Sequence, residues 1–279
     1  MAEFHDLGEL ALNRDGQSWG NLGYWQTAED YSAACRALAL LLGKTAGLDS
    51  HSVVFDAGFG CGDQLLLWLE HFHVKRIFGV NLSRSQTAHA RDKLVEAGYP
   101  DVAAALVQGD IGDPEAWSAA LGRARPDHVV ALDCAYHFPS RLEFFALAQR
   151  HLAPAGQLAL TDFLLADPHD TDFLSHRLLL WMLKFSHIDE ANIVHRNRYQ
   201  LELQETGFDN IRMTDISEHV MPGLARFMRT LRLDNISAGV GQKPRPSGWL
   251  KYRLTGWFLE WAHRRSILRY CVITATKSG

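Results

Sequence analysis

The chain has 279 residues, 47% of them hydrophobic, which is enough to bury the core of one large α/β domain with a cap. Its 28 basic residues are outnumbered by 32 acidic ones, and a net charge of −4 gives no electrostatic case for a nucleic-acid partner. The four cysteines, Cys35, Cys61, Cys134 and Cys271, have no C-x-x-C spacing, so neither a zinc site nor a disulfide framework is indicated. The opening "MAEFHDLGEL" has no basic n-region and no apolar core. No stretch reaches the roughly 18 uninterrupted apolar residues of a spanning helix. A cytoplasmic, reducing setting is therefore the expectation.

In chain order, a polar start leads through "NLGYW" (Asn21–Trp25) into a helix predicted over Thr27–Gly47, with Thr27 and Asp30 as a weak capping box. From Val53 strands and helices alternate. The strand candidates are "VVFDAG", "RIFGVN", "VAAALVQGD", "HVVALD" and "QLALTDF", with helices between them that include Arg84–Ala97 and Arg141–Leu152. Such alternation predicts a parallel sheet covered on both faces. Ligands in such sheets lie beyond the carboxyl ends of the strands. After about Leu165 the pattern changes. Residues 166–208 and 221–268 read as long helices interrupted by one short strand, Ile211–Ile216, and "RYCVITATK" (Arg269–Lys277) reads as an antiparallel last strand. "GVGQKPRPSG" (Gly239–Gly248) reads as a flexible loop.

The most informative stretch is Val53–Gln64, "VVFDAGFGCGDQ". A β-branched and aromatic strand ends in Asp56, then Gly58, Gly60 and Gly62 fall at every second position before a helix that Asp63 suits at its N-terminal end. Glycine there permits unusual backbone angles and removes the Cβ atoms that would keep a ligand off the main chain. The dinucleotide fingerprint needs its last glycine three residues after the second, which this spacing fails, and the lysine of a phosphate-binding P-loop is missing. An acidic residue followed by G-x-G-x-G instead resembles the first motif of class I S-adenosylmethionine-dependent methyltransferases, whose loop wraps the amino-acid part of the cofactor.

That resemblance extends along the strand ends. It implies cofactor contacts from Asp56, Gly58, Gly60, Gly62 and Gln64, and from the second strand's end, "GVNLSRSQ". There Asn81, with Leu82 and Gln86, stands where many relatives carry an acidic residue for the ribose. A neutral residue in this G-x-x-x-S-x-x-Q context resembles the small-molecule and lipid branch, which includes natural-product sugar O-methyltransferases and enzymes like the cyclopropane-fatty-acid synthases. After the third strand, Asp110 would accept from the adenine amino group, since an ionised carboxylate is purely an acceptor, and Ile111 would cover the ring. Asp133 and Cys134 would border the cofactor after the fourth strand. The resemblance covers most of residues 20–165 and, more loosely, the capped C-terminal part. It implies a Rossmann-like seven-stranded α/β fold with a helical cap. The expected division is an N-terminal helical segment closing over the cofactor (1–50), a cofactor-binding core (51–165), a helical cap with one inserted core strand (166–268) and the last core strand (269–279).

Methyl transfer to a protonated acceptor calls for a positioned base. In the sugar O-methyltransferases that this chain resembles, a His pair follows the fourth strand and an Asp the fifth. Here the pair reads Tyr136-His137, so His137 is the candidate base, Asp162 its partner and Tyr24 a gate over the cofactor. "HFH" (His71–His73) falls away from the ligand edge, and "DPHDTD" (Asp167–Asp172) reads as a helix-capping loop in preference to a metal site. In the cap, Leu174, Leu178, Trp181, Met182 and Phe185 repeat at helical spacing, as do Leu250, Leu254, Trp257, Phe258 and Trp261. Such stripes serve core packing, an apolar acceptor pocket, or a membrane-surface contact with Lys251, Arg253, Arg264 and Arg265 near the headgroups. The expectation is an S-adenosylmethionine-dependent methyltransferase acting on a largely apolar small-molecule acceptor of polyketide, terpenoid or quinone type. C-methylation or cyclopropanation of a lipid or isoprenoid alkene, and a non-catalytic cofactor-binding protein, stay open as alternatives. Composition does not fix the oligomeric state.

Overall fold

The computed structural model describes residues 12–13, 16–166, 172–231 and 246–279, with the backbone alone at 246–248. After a strap over residues 16–30 comes α1 (Tyr31–Thr45), then β1 (Val53–Ala57), α2 (Asp63–Glu70), β2 (Arg76–Asn81), α3 (Arg84–Glu96), the short α4 (Pro100–Ala104), β3 (Leu106–Gln108), α5 (Pro114–Leu121) and β4 (His128–Ala131). A 3-10 turn at Ala135–His137 leads to α6 (Arg141–His151) and β5 (Gln157–Leu165). Next come α7 (Phe173–Phe185), a 3-10 turn at Glu190–Asn192, α8 (Arg196–Glu205), β6 (Phe208–Asp215), α9 (Ser217–Thr230), α10 (Pro246–Arg264) and β7 (Leu268–Lys277).

The strands form one sheet in the order β3-β2-β1-β4-β5-β7-β6. β1 runs parallel to β2 and β4, and β4 parallel to β5. The last strand, β7, slots antiparallel between β5 and β6. Because side chains alternate along a strand, each strand feeds two cores. Val54, Val130 and Ala159 face α1, α2 and the cap helices. Phe55, Val129 and Leu160 face α5, α6 and α8, where Phe55 stacks on Trp117 with centroids 3.9 Å apart.

Several expectations shift. Asp30, not Thr27, caps α1, accepting from the Ala33 N–H, and the helix begins four residues late. The stretch "VAAALVQGD" splits, because Pro100 at a helix N-terminus starts α4 and only Leu106–Gln108 is left to pair with β2. β6 starts three residues before the expected strand. Asp172 caps α7 by accepting from Ser175 N–H at 2.9 Å, as its capping reading required, whereas Asp167, His169 and Asp170 lie outside the described residues. Of the expected loop at Gly239–Gly248, residues 239–245 also lie outside them.

The cap stripes show the largest difference. α7 buries Ser175, Leu179, Met182 and Leu183, while Leu174 and Trp181 are 75% and 52% exposed. α10 buries Tyr252, Phe258, Leu259 and Ala262 and exposes Leu250 and Trp257. Met182 and Phe258 are thus the only members of the two expected stripes that are buried. Among the described residues no helix is long and apolar enough to cross a membrane.

The strap is fastened to this frame at several points. Ser18 N–H donates to Asp63 Oδ2 at 2.9 Å, Leu22 N–H to Asp133 Oδ2 at 2.6 Å, and Trp25 N–H to the His219 carbonyl at 2.6 Å. The Trp25 ring lies on Gly223 of α9, where a built Cβ would come within 2.2 Å of the tryptophan. Gly223→Ala should therefore expel Trp25 and destabilise the fold by about 1–3 kcal/mol, the usual cost of overpacking. Urea unfolding measures it, and an unchanged midpoint would show that the strap does not need this contact.

Candidate active site

The turn after β1 carries Gly58, Gly60 and Gly62, all at positive φ (79°, 58° and 95°), but for different physical reasons. A Cβ on Gly58 would sit 2.8 Å from the Cys134 sulfur, and one on Gly62 would sit 3.0 Å from Ala90 Cβ of α3. A Cβ on Gly60 meets nothing within 4 Å. Gly58 and Gly62 are required by packing. Gly60 borders open space.

That space is a cavity of about 430 Å³ beyond the carboxyl ends of the strands, within the usual range for small-molecule sites. Its first half is bordered by Gly58–Gln64, Asn81, Leu82, Gln86, Asp110 and Ile111, with Trp19–Leu22 of the strap across it. The polar groups here are organised. Asn81 Oδ1 accepts from Gly60 N–H at 3.4 Å, while its amide donates to Gln86 Oε1 at 3.3 Å. Asp110 accepts from Gly112 N–H at 2.8 Å, which holds its carboxylate at the cavity wall. The second half is bordered by Phe163, Leu183, Phe185, Ile188, Ile193, Leu224, Met228 and the α10 residues Lys251, Tyr252, Thr255, Phe258 and Leu259. It is predominantly apolar. His137 is also on the wall, with Nδ1 3.4 Å from the His187 carbonyl and its ring 4.5 Å from that of Tyr136.

Three expected residues lie elsewhere. Asp56 is buried away from the cavity and accepts from Gln64 Nε2 (2.8 Å) and Trp68 Nε1 (2.7 Å). It secures α2 behind the glycine turn, and only Gln64 of that pair reaches the cavity. Asp162 is on the other face of the sheet from Thr161 and Phe163, because neighbouring residues of a strand point oppositely. It accepts from Tyr199 OH at 2.8 Å and lies 3.5 Å from Arg141, so it does not partner His137 directly. Tyr24 donates its hydroxyl to Gln26 at 3.2 Å and packs edge-on against His219, outside the cavity. The strap residues that line the cavity are Ser18–Leu22.

Asp133 is the most heavily engaged group at the wall. Its backbone is left-handed (φ 57°), its N–H donates to Thr161 Oγ1 at 2.8 Å, and its carboxylate accepts from Tyr136 OH, Tyr270 OH and Leu22 N–H. It joins the β4 end, β5, β7 and the strap. Neither Tyr270, 137 residues away, nor the Leu22 backbone could be found from spacing, since both contacts depend on the strand order. Burial raises the Asp133 carboxyl to about 7, and those of Asp56 and Asp162 to about 6. Cys134 is likewise held as a thiol by burial.

These raised acids have a definite sign. At these three groups the folded chain retains protons that the unfolded chain, with aspartates near 3.9, has already lost, so their contribution to stability falls as pH rises from about 4 to about 7 and levels off above. Asp133→Asn removes the acid with the highest value. Its Tm should fall less than the wild-type Tm between about pH 4.5 and about pH 7.5 in thermal melts. An identical fall in both proteins would mean that Asp133 keeps an ordinary acidity when folded.

The sheet order β3-β2-β1-β4-β5-β7-β6, with a glycine turn and polar acceptors at one edge of it, is the methyltransferase type of Rossmann-like fold. The family model of the methyltransferase domain matches residues 24–213, and the chain belongs to this family. It is a class I S-adenosylmethionine-dependent methyltransferase. It is similar to the erythromycin 3''-O-methyltransferase of Saccharopolyspora erythraea, with 29% identity over 227 residues that cover 80% of this chain and 72% of that enzyme. The 27-O-demethylrifamycin SV methyltransferase of Amycolatopsis mediterranei is 29% identical over 214 residues, 74% of this chain and 73% of that one. The fold matches a cyclopropane synthase from Mycobacterium tuberculosis with a TM-score of 0.75 at 17% identity, covering 97% and 94% of the two chains.

Proposed function

We propose that the chain O-methylates a largely apolar natural product, with His137 as the general base. The observation that carries this reading is the two-part cavity, in which a polar half suited to the cofactor continues into an apolar half with an imidazole on its wall. Relatives named for erythromycin 3''-O-methylation and for 27-O-demethylrifamycin SV methylation support the substrate class.

The residues present fit the cofactor. The open face of Gly60 admits close backbone approach, the Asn81 and Gln86 carboxamides suit the ribose hydroxyls, Asp110 suits an adenine amino donor, and Ile111 offers an apolar cover. Bound there, S-adenosylmethionine supplies a methyl group already activated on a sulfonium. The protein then has to orient the acceptor, exclude water and take a proton. The strap residues Ser18–Leu22 line the first half, and the apolar walls of α7, α9 and α10 suit an apolar body in the second. His137 is on the cavity wall with Nδ1 3.4 Å from the His187 carbonyl, and its imidazole is the group there suited to take the proton of an acceptor hydroxyl.

A positioned base contributes about 10²–10⁴-fold to rate, so His137→Ala should lower turnover by that order with cofactor affinity within about twofold. Incorporation of labelled methyl groups from S-adenosylmethionine into a panel of apolar hydroxylated natural products measures it. Full turnover in the variant across the pH range would overturn the base and move C-methylation of an alkene ahead.

A further inference from the structure

His137 is carried on a 3-10 turn of three residues, Ala135–His137, a short element with poorer hydrogen-bond geometry than an α-helix. The carbonyls immediately before and after His137, those of Tyr136 and Phe138, accept from one group. It is the side-chain amide of Asn192, at 3.3 Å and 2.7 Å. A carboxamide nitrogen has two hydrogens, so it can serve both. The other end of the same side chain, Oδ1, accepts at 3.3 Å from the N–H of Arg141, the first residue of α6. That N–H is one of the helix-start donors that lack an intrahelical partner.

The anchor continues behind Asn192. Its backbone carbonyl accepts from the Arg141 guanidinium, which pairs with Glu202 at 2.8 Å and lies 3.5 Å from Asp162. Asn192 is only 4% exposed, so water competes little for these bonds. The same segment supplies the His187 carbonyl beside the imidazole, and Ile188 and Ile193 of the acceptor half.

We infer that Asn192 is the positioning residue for His137, a role that rests on His137 being the base. Asn192 brackets the turn on both sides of the imidazole. Asp162, expected as a direct partner, acts two steps behind it through Arg141.

The test needs no acceptor. Carbon-13 labelled histidine is observed by NMR in the S-adenosylhomocysteine-loaded enzyme, with the His137 signal assigned through His137→Ala. Asn192→Asp keeps the size and the oxygen facing Arg141, but sets a carboxylate oxygen against the two carbonyls in place of the donors. Asn192→Ala removes the bracket without that repulsion. The wild type should give one sharp His137 signal. Both variants should broaden or split it as the turn samples several states, with S-adenosylhomocysteine affinity within about twofold and the distant histidine signals unmoved. An unchanged His137 signal in either folded variant overturns the inference. Loss of folding in both variants also overturns it, by assigning Asn192 to stability alone. Neither result depends on turnover, so failure here is distinct from failure of the base assignment.

Discussion

The site depends on a backbone turn that must run without side chains. Between β1 and α2 the chain reverses direction through three left-handed glycines, hemmed by Cys134 on one side and by Ala90 on the other. An ordinary residue at such angles costs about 1–2 kcal/mol before any clash is counted. Gly58 and Gly62 let the turn lie close to the β4 end and to α3. Closeness there is what leaves Gly60 facing open space. The Asp56 carboxylate, behind the turn, ties it to Gln64 and Trp68 so that α2 cannot drift from β1.

A second layer of order comes from carboxylates that fasten the strap. Asp63 receives Ser18 N–H and the Lys93 ammonium, and Asp133 receives Leu22 N–H together with two tyrosine hydroxyls. The strap is thereby held across the polar half of the cavity from both ends. The apolar half has a different construction. Its walls come from α7, α9, α10 and the segment after α7, whose buried side chains join one core with Phe163, Leu268, Tyr270 and Val272 of the sheet. The polar lining groups thus come from the strand ends, and the apolar ones mostly from the cap.

Much of this was legible in the sequence because it depends on local chemistry. Glycine spacing, strand alternation and the polar residue ending each strand found the sheet, the turn, Asn81, Asp110, Asp133 and His137 at one edge. The misses follow from relations that spacing does not encode. Asp162 lies inside β5, which runs on to Leu165 paired with β7, and alternation turns its side chain to the face opposite Phe163. Tyr24 is next to the strap residues that border the cavity, yet the backbone turns it toward His219. Helical period located α7 and α10 but mistook the phase of the buried face. Trp181 and Trp257 point out, while Leu179, Leu183 and Leu259 point in. Asn192 could not be found at all, since its value lies in carbonyls more than 50 residues away.

The central claim is that the open face of Gly60 is where the cofactor meets the backbone. Calorimetric titration of Gly60→Val with S-adenosylhomocysteine tests this most directly, at a temperature where the variant is folded by circular dichroism. The left-handed backbone makes valine cost stability, about 1–2 kcal/mol, but that penalty applies with or without ligand. Affinity should be abolished, because the added side chain fills space that is empty of protein and taken by the cofactor's amino-acid end. Wild-type affinity in the folded variant would contradict the placement of the cofactor, and with it the assignment of the two halves of the cavity.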